Sequence, residues 1–340
     1  MIGCGSVSSA VDGPPAIVDA DVDALAVLDA APDAAPQPPS CRGLAASCGP
    51  SDSDDCCATA TAIDGGSFYR SYDKAGDGYS GNTKYPASVS DFRLDKYEVT
   101  VGRFRTFVEA GMGTTSSAPS AGSGAHPSIP SSGWDSSWNT SLKASSADLI
   151  SALKCSAEYQ TWTDSPAGNE SQAVTCLTWY EAMAFCIWDG GYLPTEAEWN
   201  YAATGGSDQR AYPWSPSTSP DSTTIECSYA NYKVDTPTGA YCVNGTTGAV
   251  NSVGSESPSG DGRWGQADLA GNVWGWTLDY AGPYSTTACS DCANVTTGVS
   301  RVLRGGSFVS APSTLRTGNR LDNNPELRAY SVGVRCARAL

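Results

Sequence analysis

The sequence has only one histidine, His126, and few basic residues, and both shortages exclude whole classes of function. A single imidazole rules out metal centres that need two or three histidine ligands, and any catalytic triad would have to use His126. The chain carries 20 Lys and Arg residues against 36 Asp and Glu residues, which gives a net charge of −16. Nucleic acids and anionic membrane surfaces attract basic proteins, so neither is an expected partner.

No apolar run in the sequence reaches the roughly 18 residues that a membrane-spanning helix needs. Cysteine, in contrast, is abundant, with 13 residues in 340. So many thiols are typical of an oxidising compartment and predict export. Residues 1–6 resemble the end of a bacterial lipoprotein signal, which predicts lipid on Cys4 as the means of membrane association. The expected location is the periplasm, the outer membrane or the cell surface. The cysteines other than Cys4 are even in number, as a set of intramolecular disulfides requires.

Composition divides the chain into three predicted segments. Residues 1–40 combine the lipoprotein-type start with a disordered spacer rich in Ala, Asp and Pro. Residues 41–60 hold four cysteines and predict a small disulfide-linked cap, with a zinc knuckle as the alternative. Residues 61–340 are rich in aromatic and turn residues. They predict a loop-rich α+β domain with few helices, short twisted antiparallel strands and stabilising disulfides.

Three helix starts can be predicted from capping residues. Thr100 precedes a segment with apolar residues at helical spacing and is expected to cap it. Thr178 with Glu181, and Thr195 with Glu198, have the spacing of capping boxes. We therefore expect helices to begin directly after each of the three threonines.

Four ordered motifs resemble the formylglycine-generating enzyme, or sulfatase-modifying factor, family, which has a C-type-lectin-like fold. The first joins residues 65–68 (GGSF) to 94–100 (LDKYEVT), the second is 174–182 (VTCLTWYEA), the third is 193–199 (LPTEAEW), and the last joins 268–274 (DLAGNVW), 304–308 (RGGSF) and 333–336 (GVRC). The resemblance covers about residues 63 to 338 and implies this fold for the domain.

The resemblance also implies where catalysis would occur. Founding members of the family bind copper(I) with two cysteines that follow the last Gly-Gly-Ser-aromatic motif, and they oxidise a substrate cysteine to formylglycine. In this sequence Ser310 and Leu315 occupy those two positions. Copper(I) requires soft thiolate ligands, so no copper is expected and the chain resembles a catalytically degenerate member. The iron-dependent sulfoxide synthases with this fold need three histidines and are excluded by the single His126.

Calcium is the cofactor that the resemblance leaves open. In the family, calcium is held by side-chain and carbonyl oxygens, which suits a hard cation. Two ion sites are implied: one takes the Asp268 side chain and the backbone carbonyls of Gly271 and Val273, and the other begins with the Asn231 side chain and the Tyr232 carbonyl, while its second half has no counterpart that the motifs identify. The family's glutamate is replaced by Gly275, which should weaken one site. The alternative for Asp268 is a turn-forming carboxylate that binds local amides.

Cysteine pairing is only partly predictable. The short spacings favour two local disulfides, Cys227–Cys242 and Cys289–Cys292, although the latter pair also matches half of a redox or zinc motif. The resemblance aligns Cys186 with a family cysteine whose partner would lie near Arg320, where this chain has none. Cys176 could replace that partner only if the turn between them folds back, and the ten residues with a helix between them disfavour this pairing.

A polar run follows the two family cysteine positions and suggests a function in recognition. It consists of Arg316, Asn319, Arg320, Asp322, Asn323, Asn324 and Arg328. The first hypothesis is a module that binds a peptide, protein or glycan with Arg316, Asn319, Arg320, Asn323 and Arg328, or that serves as a scaffold. A solvated loop whose arginines pair with the acidic surplus is the alternative interpretation. The second hypothesis is an enzyme, either with Ser310 activated by Asp322 or His126, or still a formylglycine-generating oxidase.

Overall fold

The computed structural model describes residues 37–58, 62–76, 83–234, 239–296 and 298–340. Gln37–Leu340 form one compact unit. Cys4 and most of the spacer lie outside the described residues, so lipidation stays a prediction. Among the helices of the described part, none is long and apolar enough to cross a membrane.

Four α-helices are present in the described part of the chain. They are α1 (Val101–Glu109), α2 (Ser146–Ala152), α3 (Trp179–Trp188) and α4 (Glu196–Ala203). The hydroxyl of Thr100 caps α1, and capping boxes open α3 and α4, so all three predicted starts are confirmed. Short 3-10 turns lie at Pro39–Cys41, Thr115–Ser117, Pro130–Ser132, Ser136–Ser141, Gly206–Asp208 and Pro312–Leu315.

The strands are short, as predicted, and those of the described residues form three small sheets. Their bounds are β1 (Gly66–Tyr69), β2 (Pro86–Val89), β3 (Arg93–Leu94), β4 (Trp274–Tyr280), β5 (Cys289–Ser290), β6 (Arg301–Arg304), β7 (Leu321–Asn323), β8 (Val332–Gly333) and β9 (Ala337–Arg338). The sheet orders are β7-β6-β4-β8, β1-β2-β5 and β3-β9. Most neighbours are antiparallel, whereas β2–β5 and β4–β8 are parallel.

The largest apolar core lies between α1, α3 and the four-stranded sheet. Phe104 and Phe107 of α1 lie 5.5 Å from Phe185 of α3, measured between ring centroids. Trp276 of β4 is fully buried in the same core. Burial of each such side chain contributes roughly 1.5–3 kcal/mol, and this core holds in place the strands that carry the family motifs.

Six disulfides connect all the cysteines of the described part. The pairs are Cys41–Cys57, Cys48–Cys56, Cys155–Cys176, Cys186–Cys336, Cys227–Cys242 and Cys289–Cys292. Both local pairs are therefore confirmed, and the four cysteines of residues 41–60 form disulfides rather than a zinc site.

The suggested pairing of Cys176 with Cys186 is wrong. Helix α3 carries Cys186 towards the end of the chain, where Cys336 lies with its Cα 5.4 Å away. Cys176 precedes the helix and turns towards the segment after α2, where it meets Cys155 at a Cα distance of 5.7 Å. Most of helix α3 lies between Cys176 and Cys186 and holds them apart, so these two cysteines are close in sequence but too far apart in space to form a disulfide.

Candidate functional site

The two family cysteine positions lie after β6, beyond the tight backbone at Gly305 and Gly306, whose φ angles are +100° and +77°. The Ser310 hydroxyl oxygen accepts a hydrogen bond from the Ser307 amide at 3.1 Å and lies 3.2 Å from the Ser307 hydroxyl. Leu315 is only 1% exposed and packs in an apolar cluster with Tyr212 and Tyr232. One position therefore closes a turn and the other fills a core.

Neither of the bases suggested for Ser310 contacts it. Nε2 of His126 lies 3.1 Å from Oε1 of Glu198, and Nδ1 accepts a hydrogen bond from the Ser128 amide. Burial alone would lower the pKa of His126, but the hydrogen bond and the charge of Glu198 outweigh burial and raise it. Asp322 accepts a hydrogen bond from Ser300. The geometry therefore does not assemble the hydrolytic pair.

The arginines of the polar run form internal ion pairs. Arg328 pairs with the buried Glu181 at 2.5 Å and also donates to the Cys176 carbonyl at 2.8 Å. Arg316 pairs with the buried Asp73 at 3.3 Å. The Asn319 side chain donates to a backbone carbonyl nearby, and Asn323 lies in β7 opposite Arg301. These contacts agree with the interpretation in which the arginines pair with acidic residues.

Arg320, the remaining arginine of the run, meets a cluster that the sequence did not reveal. Its centre is Glu196, the first residue of α4, whose Oε1 lies 2.7 Å from Arg304 Nη2 and 2.9 Å from Arg320 Nε. The Tyr284 hydroxyl donates to the same carboxylate at 2.7 Å. Guanidinium groups of Arg70 and Arg320 lie 4.6 Å and 4.4 Å from the Tyr284 ring centroid. We call these five residues the Glu196 cluster.

Electrostatics explain why the cluster is stable. Burial alone would raise the pKa of Glu196, but the charges of Arg304 and Arg320 outweigh burial and hold the pKa below its usual value. Nearby Asp279 is buried. Burial is the main cause that raises the pKa of Asp279 to about 7, and the negative charge of Glu196 is the second cause. The sequence signal was weak, because Glu196 looks like an ordinary acidic residue in the first turn of a helix.

Two residues of the cluster, Tyr284 and Arg320, line a polar cleft of about 500 Å³. Tyr85, Tyr284, Ser300, Arg320 and Asp322 line this cleft, which we call the Tyr284 cleft. The polar run therefore reaches the surface through Arg320 and Asp322. The volume of the Tyr284 cleft lies within the range of about 300–1,000 Å³ that is common for ligand sites.

The implied calcium ligands lie in a buried polar region. Asp268 is half-buried, and this burial raises its pKa to about 6, while a hydrogen bond from the Gly254 amide acts in the opposite direction. Burial, together with the charge of Asp268, also raises the pKa of Glu98 well above its usual range. Asn231 is buried and its Oδ1 has no hydrogen-bond partner. Asn272 links the two parts, because it donates to Glu98 and accepts from Asn231.

These observations fit a cation that is held by oxygen ligands. The buried Glu98 carboxylate, the half-buried Asp268 carboxylate and the unsatisfied Asn231 amide oxygen are groups that divalent cations would stabilise. Across the residues that the structure describes, no group of three or more His, Cys, Asp or Glu side chains could hold a metal. Backbone carbonyls would have to complete each shell, those of Gly271 and Val273 beside Asp268 and that of Tyr232 beside Asn231. Gly275, which replaces the family glutamate, pairs with Arg304 in the sheet and brings no side-chain oxygen.

Comparisons with known proteins agree with this architecture. Two solved structures share the fold: PvdO from Pseudomonas aeruginosa, with a TM-score of 0.53, 19% identity and coverage of 82% of this chain and 94% of the other, and Treponema denticola variable protein 1, with a TM-score of 0.51, 20% identity and coverage of 83% and 95%. The predicted loop-rich C-type-lectin-like fold is confirmed.

Sequence relatives include active and inactive proteins. The chain is 29% identical over 297 residues to the formylglycine-generating enzyme of Streptomyces coelicolor, covering 81% of this chain and 87% of that protein. It is 35% identical over 169 residues to inactive C-alpha-formylglycine-generating enzyme 2 of Bos taurus, covering 48% of this chain and 49% of the bovine protein. The family model for the sulfatase-modifying factor enzyme 1-like domain matches residues 49–340. The protein therefore belongs to the sulfatase-modifying factor, or formylglycine-generating enzyme, family.

Proposed function

We propose that this protein is a catalytically degenerate member of its family that works as an exported binding or scaffolding module. The observation that carries the proposal is the pair Ser310 and Leu315 at the positions of the copper-binding cysteines. A hydroxyl and an isobutyl group supply no thiolate for copper(I). The remaining cysteines of the described part are all held in disulfides and offer no substitute.

Packing supports the loss of the original chemistry. Leu315 lies in a core with Tyr212, Ala230, Tyr232 and Ala270, so its side chain has a structural role. Within the described residues, the Ser310 hydroxyl is held by the amide and the hydroxyl of Ser307, neither of which is an acidic or basic side chain. The names of the relatives do not decide the matter, because one is described as an enzyme and another as inactive.

The surface that we propose for recognition is the Tyr284 cleft with the adjoining polar run. Arg320 and Asp322 line the cleft, and Arg316, Asn319, Asn323 and Arg328 continue along the chain. Since the arginines are neutralised by carboxylates, the ion pairs give this surface a fixed shape rather than a free positive charge. A rigid polar surface suits a peptide, protein or glycan ligand.

Export and tethering complete the proposal. Six disulfides in the described residues are consistent with an oxidising compartment. The membrane link would be lipid on Cys4, which mass spectrometry of the mature N-terminus would detect as an added diacylglycerol group. An unmodified Cys4 in an exported sample would refute the tether.

Calcium is a proposed stabilising ion rather than a reactant. Asp268 would contribute a side-chain oxygen at one site and Asn231 at the other, and an ion at the first site would offset the partial burial of the Asp268 carboxylate. When bound, calcium would supply charge neutralisation and would hold the loops that carry these residues.

Copper binding tests the loss of the catalytic centre. The purified full chain is titrated with copper(I) against a chromogenic chelator, and the Streptomyces coelicolor enzyme serves as the positive control. We expect the control to take copper from the chelator and this protein to leave it there. Tight binding of one copper ion per chain would overturn the proposal.

A further inference from the structure

A second cleft, formed by the segment between α1 and α2, has the composition of a carbohydrate site. Its volume is about 380 Å³, within the range of about 300–1,000 Å³ common for ligand pockets. The indoles of Trp134 and Trp138 line it together with Pro130, Ser131, Asp135 and Ser136. We call it the Trp138 cleft. It shares no lining residue with the Tyr284 cleft.

The two indoles are held rigidly. Trp134 is 2% exposed, and its Nε1 donates to Asn139 Oδ1 at 2.8 Å. Trp138 is half-buried, and its ring meets those of Trp134 and Trp179 edge to face, at centroid distances of 5.6 Å and 5.1 Å. Packing of this kind fixes the orientation of a ring that remains partly accessible, so little conformational entropy is lost when a ligand stacks on it.

The backbone around the cleft is also fixed. The Gly122 amide donates to the Trp134 carbonyl at 2.8 Å, and the Trp134 amide donates to the Ser123 carbonyl at 2.9 Å. A Cβ atom on Gly133 would lie 2.2 Å from the Gly122 carbonyl oxygen, so the two loops approach more closely than any larger residue would allow. The cleft is therefore built into the fold.

Hydrogen-bonding groups stand beside the indoles. Asp135 is exposed, and hydrogen bonds from Ser137, of which the backbone bond is the stronger influence, hold its pKa below its usual range. The carboxylate is therefore ionised at neutral pH. Ser131 and Ser136 are exposed and carry hydroxyl groups at the same cleft. The partly accessible ring of Trp138, with a carboxylate and hydroxyls lining the same cleft, matches a sugar ring, which has a C–H face and peripheral hydroxyls.

Charge narrows the ligand class. Asp135 is the only charged residue among those that line the cleft, so phosphate, sulfate and uronate groups would be repelled. A cationic ligand is also disfavoured, because the Arg301 guanidinium already lies 5.4 Å from the Trp138 ring centroid and 3.7 Å from that of Trp179. A neutral, hydroxyl-rich ligand remains.

We propose that the Trp138 cleft is a binding site for neutral oligosaccharides, in which a sugar ring packs against Trp138 and its hydroxyls hydrogen-bond to Asp135. The inference extends the proposed binding function and names a site separate from the polar run. It does not depend on the fate of the copper-binding positions.

The test is isothermal titration calorimetry of the full chain with defined probes. The neutral probes are cellohexaose, fully N-acetylated chitohexaose, mannohexaose and laminarihexaose, and the others are hexagalacturonate, choline and a decaproline peptide. We expect at least one neutral hexasaccharide to bind and the other three probes not to bind. No binding of any neutral probe would overturn the proposal, as would tighter binding of choline, decaproline or hexagalacturonate.

Variants locate the binding. Trp138→Ala should weaken binding by at least about tenfold, and Asp135→Asn by about tenfold. Trp138 also packs on its neighbours, so Trp138→Ala alone does not separate loss of binding from loss of folding. Trp138→Phe and the exposed Asp135→Asn are expected to fold normally, since phenylalanine keeps an aromatic ring and asparagine still caps the following turn. The matched controls are Tyr69→Ala, which removes a 38% exposed ring from another cleft of about 370 Å³, and the exposed Asp164→Asn.

The outcomes separate this site from the proposed recognition surface. Loss of affinity in the Trp138 and Asp135 variants, with neither control affected, would support the site. If a neutral sugar binds but only Asp322→Asn weakens it, the binding function stands and the assignment to the Trp138 cleft is overturned. If the protein binds copper and no sugar, both proposals fail.

Discussion

The disulfide Cys186–Cys336 should contribute more to stability than the local disulfide Cys227–Cys242, because it joins distant parts of the chain. It closes a loop with a sequence separation of 150, whereas Cys227–Cys242 spans 15. The loss of unfolded-chain entropy corresponds to about 5 kcal/mol for the long loop and about 3 kcal/mol for the short one. We therefore expect Cys186→Ala/Cys336→Ala to lower the free energy of unfolding by about 2 kcal/mol more than Cys227→Ala/Cys242→Ala.

The assay is equilibrium unfolding in guanidinium chloride, followed by fluorescence and circular dichroism to check two-state behaviour. Cys186 and Cys336 are fully buried, so the voids left by their sulfur atoms should increase the loss further. The local double variant is the matched control, since Cys227 is exposed. An equal or smaller loss in the long-loop variant would refute the reasoning, and peptide mapping that linked Cys186 to another cysteine would refute the pairing itself.

Three further predictions concern buried charge and ions. Glu196→Gln would leave the buried guanidinium group of Arg304 and the half-buried one of Arg320 without their carboxylate and should cost about 3–5 kcal/mol in urea unfolding; a cost below about 1 kcal/mol would contradict the described cluster. Asp279, with its pKa raised to about 7, binds a proton more readily when folded, so its stabilising effect is full below about pH 4 and is lost as the pH rises through about 7. Unfolding at about pH 5 and about pH 8 should show this decrease, and Asp279→Asn should reduce it. Calcium at about 100 times its Kd should stabilise the protein by about 2.7 kcal/mol in thermal melts, and Asp268→Asn should lose most of that gain; equal effects of magnesium and calcium would contradict a calcium site.

Local features of the fold were predictable from sequence because neighbouring residues determine them. The threonine caps of α1, α3 and α4 depend on contacts three residues apart, and Cys289–Cys292 closes a short turn. The family motifs made the overall fold predictable as well, since they lie along the chain in the same order as the buried strands and helices.

Long-range contacts could not be predicted in the same way. Cys186 meets Cys336 only because α3 packs beside the end of the chain, and spacing carries no information about that packing. Glu196 collects Arg304 and Arg320 from two later segments, so its role depends on tertiary structure. The Trp138 cleft arises from a Gly- and Ser-rich stretch that predicts loops, and its two indoles converge only after those loops fold against α3.

The most direct test of the account is peptide oxidation. The full chain, supplied with copper(I) and oxygen, is incubated with a peptide that contains Cys-x-Pro-x-Arg, and mass spectrometry detects conversion of cysteine to formylglycine. Because Ser310 and Leu315 replace the two thiolates, we expect the peptide to remain unchanged while the Streptomyces coelicolor enzyme converts it under the same conditions. Formation of the aldehyde by this protein would contradict the account.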